Sequence, residues 1–151
     1  MAFISAIPKL ASMDIQRSIA FYDKLGFTQS AHYPDYGIVE QDSVQIHFWL
    51  CADPAIPKAT GCRINVSGID ELFATYSKLG VVHPNDPLTL KPWGLREFSI
   101  LDVDGNLVTF AEQLAMVEGA LTVTQLEQIK QHEPQGKKRS VRSSLFELKT
   151  T

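Results

Sequence analysis

Several features that would classify a chain at once are scarce here. Only two cysteines, Cys51 and Cys62, occur in 151 residues. That is too few for a disulfide framework, and they read as packing thiols in a reducing compartment. No apolar run approaches the roughly 20 residues of a membrane span. The start, Met1-Ala2-Phe3-Ile4-Ser5, has neither the basic opening nor the long apolar stretch of a secretory leader. Together these absences predict a cytoplasmic protein with no membrane partner. There is no Gly-x-Ser-x-Gly elbow and no phosphate-cradling glycine loop, so covalent and nucleotide chemistry have no foothold. Basic excess is missing too: up to Leu114, eight basic residues face thirteen acidic ones, a balance of −5. An acidic body argues against nucleic-acid binding by the core and favours a neutral or cationic ligand.

What the chain has instead is a repeat. Ile15-Gln16-Arg17-Ser18-Ile19-Ala20-Phe21-Tyr22-Asp23-Lys24-Leu25-Gly26 returns about 54 positions later as Ile69-Asp70-Glu71-Leu72-Phe73-Ala74-Thr75-Tyr76-Ser77-Lys78-Leu79-Gly80. Apolar residues recur at helical spacing in both copies, and Asp14 can cap the first. Gly26 and Gly80 end the two helices, where a left-handed residue is cheapest. Strand patterns precede each helix at Phe3 to Leu10 and Cys62 to Val66. Others follow at Thr28 to Tyr33, Gly37 to Glu40 and Val44 to Leu50, then at Val81-Val82, Leu95 to Leu101 and Leu107 to Ala111. Ala52 to Gly61, with Pro54 and Pro57, reads as the connector. The pattern is βαβββ written twice: an α+β domain over 1–114, with modules of about 1–51 and 60–114, whose curved mixed sheets surround a cleft. Residues 115–151 form a separate extension. Thr124-Gln125-Leu126-Glu127 matches a capping box for a short helix to about His132. The basic run Lys137-Lys138-Arg139 follows it as a solvated tail.

Four stretches make the chain resemble a known family. They are Ser5-Ala6-Ile7-Pro8-Lys9-Leu10, Ile19 to Phe27, Gly68-Ile69-Asp70-Glu71-Leu72, and Pro92-Trp93-Gly94-Leu95-Arg96-Glu97-Phe98 running into Asp102-Val103-Asp104-Gly105-Asn106. Paired βαβββ units look like the vicinal-oxygen-chelate superfamily of glyoxalase I and the extradiol dioxygenases. Within it the four stretches most resemble the bleomycin-resistance proteins. One departure is Val103, where that family's turn usually carries Pro. The resemblance implies a homodimer that exchanges its first strands and sequesters a bleomycin-type drug, unmodified, in clefts between subunits. Pro8 falls where the family carries the proline associated with the exchanged arm, although a local role at a strand edge is an equal reading.

Enzymes of the superfamily hold a divalent ion with His, Gln or Glu projecting from each unit, which requires several donors converging on one point. By register, the equivalent seats here fall on Ile7, Gly61 and Thr109, with Gln45 and His47 offering donors on one strand. One donor strand of four predicts no metal site, no cofactor and no catalytic residue. The alternative is a metal-dependent glyoxalase- or dioxygenase-like enzyme using Gln45 or His47. A further alternative is an interaction module in which Leu121 to Leu148 recruits a partner. Without metal, the useful residues are aromatic: Tyr33, Tyr36, Trp49 and Trp93, with His47 as a cleft-wall residue and Gly94 and Arg96 beside Trp93. Flat rings suit stacking on a flat heteroaromatic ligand. Phe48 and Phe98 read as core. Arg96 and Glu97 form a structural ion pair or line the cleft, and sequence leaves both open.

Overall fold

A computed structural model describes residues 1–114; the expected tail helix, the basic run and the whole 115–151 extension lie outside them. Two copies of one topology fill the described chain. The first runs β1 (Lys9–Ser12), α1 (Ile15–Lys24), β2 (Thr28–Tyr33), β3 (Tyr36–Gln41) and β4 (Val44–Leu50). The second runs β5 (Gly61–Asn65), α2 (Ile69–Lys78), β6 (Thr89–Leu90), β7 (Leu95–Leu101) and β8 (Leu107–Gln113). Each copy makes a four-stranded mixed sheet, ordered β1-β4-β3-β2 and β5-β8-β7-β6, with the first strand parallel to the last. This is the α+β architecture of two βαβββ modules expected from the repeat. No helix among the described residues is long and apolar enough to cross a membrane.

Local chemistry sets the element ends. Asp14 caps α1 by accepting from the Arg17 amide, whereas α2 begins at Gly68 in a left-handed conformation with Glu112 Oε1 accepting its N–H. The expected first strand, Phe3 to Leu10, is corrected by the structure. Pro8 has no N–H to donate, so the ladder begins at Lys9; the Pro8 carbonyl still accepts from the His47 amide at 3.0 Å. Upstream the arm leaves the sheet, with Phe3 and Ile4 fully exposed. Val81-Val82 is not a strand but a single bridge from Val82 to Ile100. The connector contains a 3-10 turn at Pro57–Ala59, and the two-residue β6 is too short for periodicity to reveal.

Alternation along the strands gives each sheet a helix-facing side and an open side. Ile46 and Phe48 of β4 pack beneath α1, and Phe98, Ile100, Val108 and Phe110 pack beneath α2. Aromatic edge contacts join Tyr22 to Phe27 and Tyr76 to Phe110, while Phe98 and Phe110 stack at 5.3 Å.

The two repeated tyrosines do something further: each reaches into the other module. Tyr22 Oη donates to Asp102 Oδ2 at 3.1 Å, in the β7–β8 turn, and Tyr76 Oη donates to the Leu25 carbonyl at 2.9 Å, at the end of α1. Asp102 Oδ1 accepts three backbone N–H groups, from Asp104, Gly105 and Asn106. Burial nonetheless pushes the Asp102 carboxyl above the usual carboxylate range. The same turn ties down α1 through Arg17–Asp104, and β1 through Asn106 Nδ2 donating to the Ala11 carbonyl at 2.9 Å. Removing a buried donor strands its acceptor, and the loss is larger for a carboxylate than for a neutral carbonyl. Tyr22→Phe should therefore lower the free energy of urea unfolding by about 2 kcal/mol, and Tyr76→Phe by about 1 kcal/mol; equal losses would contradict the asymmetric clamp.

Candidate functional site

The ladder register places four of the expected site residues on one surface. On the open side of the first sheet Tyr33 pairs with Tyr36, and Tyr36 with Trp49 across the next strand. His47 is next along β4 on that side, paired with Ile38 on one flank and Lys9 on the other. Tyr36 Oη lies 2.8 Å from His47 Nδ1, the two rings meet edge to face, and Nε2 of His47 is buried without a hydrogen-bond partner among the described residues. The Lys9 ammonium sits 5.6 Å from the centre of the Tyr36 ring. Tyr33 and Trp49 are 57% and 36% exposed, so among the described residues this is an open aromatic surface rather than a filled core.

Trp93 belongs to the second module. Lys91-Pro92-Trp93-Gly94 closes the β6–β7 hairpin: the Gly94 amide donates to the Lys91 carbonyl at 2.9 Å, and the Lys91 amide to the Leu95 carbonyl at 2.8 Å. Gly94 takes φ +86°, the left-handed step that such three-residue hairpin loops require. Its contribution is thus to shape the loop. Trp93 is 61% exposed at the tip, with its indole N–H donating to Glu97 Oε1 at 2.9 Å.

Arg96 and Glu97 lie on opposite sides of β7. Arg96 shares the side of Phe98 and makes a two-pronged contact with Asp70 at the start of α2, both prongs 2.6 Å. Arg96 holds the Asp70 carboxyl below its ordinary range. Glu97 points to the open side, bonded to Arg63 and Trp93. Neither is the other's ion partner, and the geometry turns Arg96 away from the surface that carries Trp93. Lys9 and Arg63 are absent from the expected site, whereas Glu97, left open between an ion pair with Arg96 and the cleft wall, bonds to Arg63 and Trp93 instead. The repeat carries a signal for the two cations, since Lys9 and Arg63 are themselves 54 positions apart.

The positions where related enzymes hold metal do not assemble a donor set. Ile7 is half-exposed on the arm. At Gly61 a Cβ would meet the Leu107 carbonyl oxygen at 2.2 Å, so β5 approaches β8 too closely for any ligating side chain. The Thr109 hydroxyl is engaged with Ser99 at 2.9 Å, and Gln45 donates to Glu40 at 3.1 Å. Among the described residues no group of three or more His, Cys, Asp or Glu converges. Where the modules meet, a cleft of about 440 Å³ lies between the arm (Ser5 to Pro8), Gln45 and Arg63. The aromatic residues do not line it, and within the chain the Tyr36–Trp49 surface and Trp93 stand on separate sheets.

Comparison with known proteins places this geometry in a class. The model of the Glyoxalase/Bleomycin resistance protein/Dioxygenase superfamily matches residues 6–110. Proteins named bleomycin resistance protein from Geobacillus stearothermophilus and from Staphylococcus aureus strain MRSA252 are each 37% identical over 129 residues, covering 74% of this chain and 98% of theirs. The bleomycin resistance determinant encoded on transposon Tn5 shares the fold, with a TM-score of 0.66 at 21% identity over 74% of this chain and 98% of that one. The bleomycin-binding protein of Streptomyces verticillus, solved with copper(II)-bleomycin, has a TM-score of 0.66 at 25% identity over 73% and 96%. The chain belongs to this superfamily and, within it, to the bleomycin-resistance proteins.

On the Trp93 side, the loop before β6 is pinned through Asp86. Burial pushes the Asp86 carboxyl up, but Lys91 at 2.8 Å and the Ser99 hydroxyl outweigh it and hold it below its ordinary value. A depressed carboxyl stabilises the fold above its unfolded pKa of about 3.9, and that contribution is lost as pH falls through the folded value. Asp86→Asn should lower Tm at pH 7, and its difference from the unaltered chain should shrink below about pH 4. A constant difference across that range would contradict the assignment.

Proposed function

We propose that this chain is a non-catalytic binder that sequesters a bleomycin-type antibiotic, or a similar flat and cationic ligand, as a cytoplasmic homodimer. The observation that carries the reading is the uncovered ladder Tyr33–Tyr36–Trp49 on the first sheet, in a chain 37% identical to named bleomycin resistance proteins over nearly their whole length. Exposed aromatic surface of this kind marks a binding face. Ring stacking contributes roughly 0.5–1.5 kcal/mol per pair beyond burial.

Dimerisation with first-strand exchange supplies what a single chain lacks. The ladder and the Trp93 hairpin sit on different sheets, and neither is covered by the described residues. The arm before Pro8 is free of its own sheet and exposes Phe3 and Ile4, apolar side chains that a second copy would bury. Two chains then bring the ladder of one against the hairpin of the other, giving two sites per dimer. Tyr33, Tyr36 and Trp49 stack on the ligand, His47 braces Tyr36, and Trp93 closes from the opposite side. Gly94 shapes the closing loop, and Arg96 supports it from behind through Asp70. The body charge of −5 attracts a cation over long range.

Calorimetric titration with bleomycin should give saturable binding at about one site per chain, with sedimentation reporting a dimer. Trp49→Ala and Trp93→Ala should each weaken binding about tenfold, or 1.4 kcal/mol, and thermal melts of both variants separate that loss from any change in stability. No heat at high micromolar drug would remove the ligand assignment, and stoichiometric metal in the purified protein would favour the enzyme reading.

A further inference from the structure

The exposed indole of Trp93 is anchored by one deeply buried carboxylate. Glu97 lies on the open side of β7 yet is only 3% exposed. Its Oε1 accepts from both Trp93 Nε1 at 2.9 Å and Arg63 Nη1 at 2.6 Å. A buried charge is costly unless paired, and Arg63, whose side chain is itself 46% exposed, supplies the pairing. The acceptor offered to the indole is therefore both fixed in place and charge-assisted. A ring 61% exposed at a hairpin tip has little packing to fix its two torsions. The bond to Glu97 decides which way its plane faces.

The repeat strengthens this assignment. Lys9 pairs with His47 and Arg63 with Thr109; Ile38 pairs with His47 and Ser99 with Thr109; two residues along, Tyr36 pairs with Trp49 and Glu97 with Ala111. Glu97 thus occupies the position that Tyr36 occupies in the first sheet, with Arg63 in the place of Lys9. The first module projects an aromatic ring from the strand itself. The second projects a carboxylate that holds a ring delivered by the hairpin.

We propose that Glu97 is a positioning residue that orients the Trp93 indole for stacking on a flat, cationic ligand, with Arg63 neutralising its charge. The inference rests on the reading of Trp93 as a ligand-facing ring.

The test combines ¹⁵N relaxation of the tryptophan indoles with bleomycin titration on the full chain. The Trp93 indole resonance is assigned by its loss in Trp93→Phe. In the unaltered protein without drug, that indole should be rigid and protected from exchange. In Glu97→Ala its heteronuclear NOE should fall, its exchange should quicken, and bleomycin affinity should drop about tenfold. Glu97→Gln keeps an amide oxygen for the indole while losing the ion pair, and should restore most of both readings. Thermal melts of all variants separate these effects from loss of fold. An unchanged NOE in Glu97→Ala would overturn the proposal, as would unchanged affinity with a loosened ring, or a Gln variant no better than Ala. If the unaltered chain gives no heat with bleomycin, the proposed function falls; the relaxation data then still decide whether Glu97 orients Trp93.

Discussion

The fold depends on one turn. Asp102 to Asn106 is formally the β7–β8 connection, but its polar groups act mostly on the first module. Asp102 folds the turn by collecting three of its own amides on one oxygen, and offers the other to Tyr22 and to Asn106. Asp104 takes the Met13 amide, the Arg17 guanidinium and the Ser18 hydroxyl, while Asn106 reaches the Ala11 carbonyl. The side chains of Asp102, Asp104 and Asn106 are buried and would be costly if left unpaired. The modules are therefore not two beads on a linker. Their relative placement is set by directional bonds, and that placement decides where the two open sheet faces point. Tyr76, reaching back to Leu25, closes the clamp from the other side.

The repeat gives the chain two equivalent faces that carry different side chains. On the first, the positions Tyr36, His47 and Trp49 form a connected aromatic and imidazole surface; on the second, the equivalent positions hold Glu97, Thr109 and Ala111. Small and hydroxyl side chains leave room where the first face fills it. The aromatic group of the second face arrives from the β6–β7 hairpin instead. Such a pair suits a flat ligand held between unlike walls better than two identical walls would. One supplies area and the other a ring that can be aimed.

Much of this was legible in the sequence, because hydrophobic periodicity and the 54-residue shift report burial and topology directly. Both helices, the strands Thr28–Tyr33, Val44–Leu50 and Leu95–Leu101, and the shared aromatic side of the first sheet follow from them. The first strand is shorter than its apolar pattern implies, because that pattern runs through Pro8 and does not register a missing N–H. The side of Arg96 is recoverable from the strand pattern. If Phe98 and Ile100 face the core, then period two puts Arg96 with them and Glu97 opposite. The bond from Trp93 to Glu97 was less accessible. It depends on the loop folding back over the strand, which the left-handed step at Gly94 permits but no spacing specifies.

Electrostatics at the faces differs from electrostatics of the body. The acidic total draws cations from a distance, an effect that salt screens within about 8 Å at physiological strength. At the surface, two cations stand at equivalent repeat positions, Lys9 beside the Tyr36 ring and Arg63 paired with Glu97, and Glu40, on the Tyr36 side of β3, adds a carboxylate bonded to the Gln45 amide. A cationic ligand arriving there meets the Lys9 ammonium and the Glu40 carboxylate on one face, charges of opposite sign that offset each other in sum. Discrimination at contact range must then come from ring area and ring orientation, which salt scarcely touches. That division predicts an association rate that falls with ionic strength and a dissociation rate that hardly moves. In such a site the aim of one exposed indole matters more than the net charge of the protein.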